Sequence, residues 1–158
     1  MFLAFLLNSF FYISGISKNI SLLITSTVMA VSYFTSNHFI DLSASTEFIY
    51  LTWIGYDILT ISFILLINRI FNQKLCTAAK YVLVGLSLNA LLCFLIHIDL
   101  KVLINREPWW FWNFYTLGIN SIDVVMVAAL ILDRDFLAIS SIKRKFQKQL
   151  KNSNQSFS

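Results

Sequence analysis

The sequence predicts an all-α integral membrane protein: a bundle of four transmembrane helices with an apolar N-terminal segment and an amphipathic C-terminal surface helix. Three observations predict it. The 158 residues are 58% hydrophobic and only 13% charged, against the ~25% charge usual in a soluble domain. Four apolar stretches are each long enough to cross a hydrocarbon core of ~30 Å at 1.5 Å per residue. Finally, ten of the twelve basic residues fall on one side of the alternation these stretches create.

The first segment, residues 1–19, is apolar but short and is interrupted by Ser17, Lys18 and Asn19. It has no basic leader and no small-residue cleavage site, so it is not expected to be a removable signal peptide. Gly15 and Lys18 mark a break at the membrane surface. The segment therefore reads as an interfacial helix or the first part of a broken, re-entrant one, with a short extra span as the third reading.

The transmembrane domain is expected over 20–135, with spans at about 20–37, 47–70, 78–98 and 109–132. Arg69, Lys74 and Lys80 flank the second connection, Lys18 precedes the first span, and Arg134, Lys143, Arg144, Lys145, Lys148 and Lys151 follow the last. The other connections hold only Lys101 and Arg106, beside Asp41, Glu47, Asp99 and Glu107. Basic loops stay in the cytoplasm, so both termini are expected there. Tyr50, Trp53, Trp109, Trp110 and Trp112 then form a belt at the outer boundary. The run WWFWNFY, just after Pro108, reads as an interface anchor, with a docking surface as the alternative.

The tail, 136–158, repeats Ile139, Ile142, Phe146 and Leu150 at helical spacing with basic residues between them. Lys143, Arg144, Lys145, Lys148 and Lys151 are expected to hold it against anionic inner-leaflet lipid. The spans also hint at two tandem hairpins, since HFIDL from His38 and HIDL from His97 end the first and third alike.

Polar residues at mid-membrane depth are the candidates for chemistry. Asp57, Asn89, Asn120 and Asp123 fall near the centres of their spans, and Asn113, Thr116, Asn120 and Asp123 advance along one helical stripe. Thr25, Ser32 and Ser36 make a similar stripe on the first span. Two readings follow. The carboxylates line a path for protons, cations or a small solute, sharing a proton between them. Alternatively, they are hydrogen-bonding glue between helices.

His38, Asp41, His97 and Asp99 gather at the expected outer surface and carry metal-ligand chemistry, though their spacing matches no zinc motif. Phosphate loops, nucleophile elbows and paired metal or redox motifs are missing, so neither an enzyme nor a cofactor is expected. Cys76 and Cys93 occupy different environments, which argues against a disulfide. Gly55, Gly85 and Gly118 are expected to permit close helix contact.

The sequence thus points to a small multi-pass protein of the cell membrane, with a composition that suits a bacterial inner membrane. Its expected function is transport or channel-like. The alternative is a non-enzymatic interaction protein, either an accessory subunit of a larger complex or an immunity factor against a pore-forming toxin, the last by analogy of layout alone. Expected partners are the bilayer, its anionic lipids, and a second copy or larger membrane protein. The basic residues follow topology, so nucleic acid is not expected.

Overall fold

The computed structural model describes residues 1–39, 49–104 and 109–133. These residues form five α-helices: α1 (Phe2–Ile13), α2 (Ile20–Phe39), α3 (Ile49–Ile70), α4 (Thr77–His97) and α5 (Trp110–Leu132). A π-helical turn, Ile98–Val102, extends α4. No strand occurs among the described residues. Three helices are long and apolar enough to cross a membrane: α3, α4 with its extension, and α5. At 20 residues α2 has the length, but its serines and threonines leave it outside that set. Asp41, Arg106, Pro108 and the tail from Arg134, with Lys143, Arg144, Lys145, Lys148 and Lys151, lie outside the described residues.

Local signals set the helix ends. Asn19 caps α2, its Oδ1 accepting the Leu22 N–H at 3.2 Å. The α3 helix stops at Asn72, which adopts φ 51°. There the Asn72 N–H bonds Arg69 O and the Gln73 N–H bonds Asn68 O, the paired pattern of a Schellman ending. Asp133 ends α5 at φ 44°, its N–H bonding Ala129 O. Asparagine and aspartate tolerate this left-handed conformation better than most residues.

Helix α4 is central and packs against α2, α3 and α5. It runs antiparallel to α5 in a definite register: Ala78 meets Asp133, Gly85 meets Met126, Asn89 meets Asp123 and Leu92 meets Gly118. A Cβ on Gly85 would stand 2.6 Å from Met126 Cγ and Sδ, and one on Gly118 would stand 3.1 Å from Leu92 Cδ1. These two glycines therefore permit close approach, as expected. Gly55 does not, because a Cβ there would meet nothing within 4 Å.

The hydrophobic core occupies one half of the bundle. Leu22 and Met29 come from the start of α2, Ile64 from the end of α3, Val82 and Leu86 from the start of α4, and Met126 and Leu130 from the end of α5. All belong to the end that carries Lys18, Arg69, Lys74 and Lys80. Helix α1 adds Ala4 to this core and packs against both α2 and α5. Buried Asn8 fastens it, donating to Leu130 O at 3.0 Å. With 12 residues, α1 is only about 18 Å long at 1.5 Å per residue. It accompanies part of the bundle and no more.

A polar knot closes the same end. Asp133 accepts from Asn19 Nδ2 at 2.8 Å and from the Ala78 N–H at 3.2 Å, joining the starts of α2 and α4 to the end of α5. Beside it, Cys76 caps α4, its Sγ accepting the Ala79 N–H at 3.3 Å. Burial pushes the Cys76 thiol above its ordinary pKa; the Ala79 bond opposes this and the Asp133 carboxylate reinforces it. Less thiolate is then present at any given pH, and thiolate is the reacting species. Alkylation of Cys76 at pH 7.5 is expected to be at least several-fold slower than that of an exposed cysteine, with the rate still climbing above pH 9. Rate-versus-pH profiles from mass spectrometry check this.

Candidate functional site

The half of the bundle away from the core holds a cavity of about 210 Å³. Four helices build it. Ser32, Tyr33, Ser36 and Asn37 come from α2; Trp53, Tyr56 and Asp57 from α3; Asn89 and Cys93 from α4; Ile119 and Asp123 from α5. Asp57 is eight residues into α3, about 12 Å along the helix. Asp123 is thirteen residues into α5, about 20 Å. The cavity thus reaches toward mid-depth and ends above Met29, Leu86 and Met126, each almost fully buried.

Asp123 is the best held of the polar groups. Its Oδ1 accepts the Tyr33 hydroxyl at 2.5 Å and Asn89 Nδ2 at 3.3 Å. Asn89 is 6% exposed, and its Oδ1 finds no partner among the described residues. An unmet buried acceptor costs about 1–3 kcal/mol. Asp57 has no hydrogen-bond donor among the described residues, and no lysine, arginine or histidine among them lines the cavity. Among the described residues, the site therefore presents two carboxylates and a free amide oxygen, with no opposing positive charge.

The stripe read on the fourth predicted span divides. Asp123 faces the cavity, whereas Asn113, Thr116 and Asn120 are exposed on the outside of α5. Thr116 donates to Trp112 O at 3.0 Å and Asn120 to Thr116 O at 2.8 Å. Each satisfies its donor within its own helix and needs no partner helix. The structure thus joins Asp57, Asn89 and Asp123 and leaves the other three apart. It adds Tyr33 and Tyr56, which sequence reasoning passed over, and Trp53, which it read only as a boundary aromatic. A signal existed for Tyr33, which adjoins Ser32 and precedes Ser36 by three on a hydroxyl-rich helix.

Of the His and Asp residues expected at the outer surface, His38, His97 and Asp99 are described and have separate surroundings. His38 stacks on Phe34, ring centroids 4.1 Å apart, with Nδ1 3.1 Å from Phe34 O. Asp99 is 4% exposed and accepts from both Trp109 Nε1 at 3.0 Å and Trp112 Nε1 at 2.9 Å. His97 Nδ1 is buried without a partner among the described residues. No three His, Cys, Asp or Glu side chains gather among those residues in a way that could hold a metal ion. The tryptophan run therefore clamps a carboxylate while Trp110, 66% exposed, points outward. Asp99→Asn keeps an acceptor but removes the charge that strengthens both bonds, and is expected to cost about 1–2 kcal/mol. Thermal unfolding, followed by tryptophan fluorescence, checks it.

Comparison with protein-family models, characterised proteins and solved structures finds no match to this chain. The site's chemistry carries the functional argument alone.

Proposed function

We propose that this is a four-span protein of the cell membrane, with cytoplasmic termini, that binds a cation in an acidic intramembrane cavity as part of transport. One observation carries the reading: Asp57 and Asp123, from different helices, line a single cavity that no basic residue among those described shares. Ionised carboxylates at such depth cost about 2.5–3.5 kcal/mol each on insertion scales. A bound proton or cation offsets that cost, so the two exchange at the same place.

The surroundings support a membrane setting. Large side chains such as Leu117, Val124, Ile58 and Leu66 are more than half exposed, while Asn8, Thr25, Asn68 and Asn89 are buried. Lipid favours this distribution, since polar groups must be satisfied inside the bundle. With α2 as the fourth span, Lys18, Arg69, Lys74 and Lys80 lie at the cytoplasmic end. The cavity then belongs to the outer half, and the Met29–Leu86–Met126 core closes the inner half. This is one half of an alternating-access path. The exposed Trp110 and Phe114 favour a second reading, an interaction protein that uses the outer aromatic surface.

Water access separates the two. In a Cys76→Ser/Cys93→Ser background, single cysteines replace Ser36 and Ile119 in the cavity and Leu117 on the apolar outside. Membrane-impermeant thiol reagents are added to intact cells. Transport predicts labelling at 36 and 119 but not at 117, faster with a cationic reagent than with an anionic one. A folded protein with neither cavity position labelled has a dry bundle, which makes the aspartates structural and leaves the interaction reading.

A further inference from the structure

A second concavity, about 390 Å³, runs along the outside of the bundle between α2 and α3. Its hydroxyl groups are turned to other uses. Thr27 donates to Leu23 O, Thr35 to Val31 O and Thr60 to Tyr56 O, each at 2.7–2.8 Å. Threonines bonded in this way spend their donors on the helix and leave methyls available to the groove. Val31, Leu59 and Phe63 supply the rest of an apolar wall. The groove and the acidic cavity share Ser32 and Tyr56 as lining residues. At that boundary Ser32 and Thr60 hydroxyls stand 2.5 Å apart; Thr60 donates to Tyr56 O, so Ser32 is the donor of the pair.

Resting on the reading of the cavity as a cation site, we infer that its ligand is a lipophilic organic cation, a quaternary or protonated-amine head on an apolar body, admitted from the bilayer between α2 and α3. The head belongs in the cavity. Asp57 and Asp123 supply charge, the free Asn89 Oδ1 supplies an acceptor, and Tyr33, Trp53 and Tyr56 supply rings of the kind that attract cations. A bare calcium ion instead takes six to eight oxygens at about 2.3–2.6 Å, and a cavity of about 210 Å³ walled partly by rings is poorly shaped for that. The apolar body belongs in the groove. Together the spaces fall within the ~300–1,000 Å³ of pockets that hold drug-sized molecules. Charge complementarity names the occupant: a neutral acyl chain fills the groove but leaves the carboxylates uncompensated.

The test uses the full-length protein in nanodiscs with three probes: tetraphenylphosphonium, its isosteric anion tetraphenylborate, and tetramethylammonium as a head without a body. Saturable tetraphenylphosphonium binding is expected, with none for tetraphenylborate. Asp57→Asn should weaken it at least tenfold. Leu59→Trp, which fills the groove from α3, should also weaken it at least tenfold while tetramethylammonium binding persists. Val31→Trp does the same from α2 if the first variant does not fold. If tetramethylammonium binds through Asp57 but tetraphenylphosphonium does not, or if both groove variants leave it unchanged, the lateral route is overturned and the cation site stands. Equal binding of tetraphenylborate overturns the charge argument. If no cation binds, both readings fall.

Discussion

Asp57→Asn is expected to raise thermal stability while cutting cation binding on the order of 10²-fold. The two effects have opposite signs because they arise from the same charge. Asp57 has no hydrogen-bond donor among the described residues, so the substitution breaks no hydrogen bond with them. It removes a carboxylate whose placement in lipid costs about 2.5–3.5 kcal/mol when ionised. A bound cation loses one of its two counter-charges, which in desolvated pairs is worth about 2–5 kcal/mol. Asp123→Asn should lose binding similarly but gain less stability, since Tyr33 and Asn89 already hold that carboxylate. Thermal unfolding in detergent, paired with titration of the same samples, measures both. If the aspartates are packing glue instead, stability falls in both variants and no cation binding is measured.

Gly85→Val is expected to cost about 3 kcal/mol, at the top of the range for overpacking, and to abolish cation binding with it. The added Cβ would lie 2.6 Å from Met126 Cγ and Sδ and 3.3 Å from Ile122 Cγ2. Met126 is fully buried, so its side chain can make room only by shifting within the core. Replacing glycine within a helix recovers up to about 1 kcal/mol, more for alanine than for β-branched valine. The net effect remains destabilising. Spreading α4 from α5 at this level reaches the site directly, because Asn89 is one turn beyond Gly85 and Asp123 is three residues before Met126. Met126→Ala alone should cost about 2–5 kcal/mol as a cavity. The double variant should be more stable than the sum of the two costs allows, since each change relieves the other. A double-mutant cycle on unfolding midpoints reads the coupling.

Much of the architecture was legible from composition and pattern. An 18-residue apolar run declares a membrane-length helix through the cost of leaving its backbone or its side chains anywhere else. The helices α3, α4 and α5 announce themselves in that way. Stop signals were weaker: Asn72 and Asp133 close their helices through left-handed backbone that no composition window weighs.

The site was legible only in part. Helical spacing places Asn113, Thr116, Asn120 and Asp123 near one another, but it does not say which neighbour covers them. Thr116 and Asn120 bond their own backbone and can face outward without an unmet donor. Tyr33, which no sequence pattern singled out, holds Asp123. Asp99 likewise carried metal-ligand chemistry by type and was met by two indoles.

The sequence by itself predicted a helical chain of four spans, three of which stand as helices long and apolar enough to cross a membrane, and a strong bias of basic residues to one side, because length, apolarity and charge are local quantities. Tertiary structure alone decided that Asp57, Asn89 and Asp123 meet in one cavity and that the apolar core fills the other half. It also decided that a groove between α2 and α3 adjoins the cavity at Ser32 and Tyr56. Those facts depend on the register between helices, which is set by steric fits such as Gly85 against Met126 and by bonds such as Asp133 to Ala78. Such fits join residues far apart in the chain, and no periodicity within a single helix encodes them.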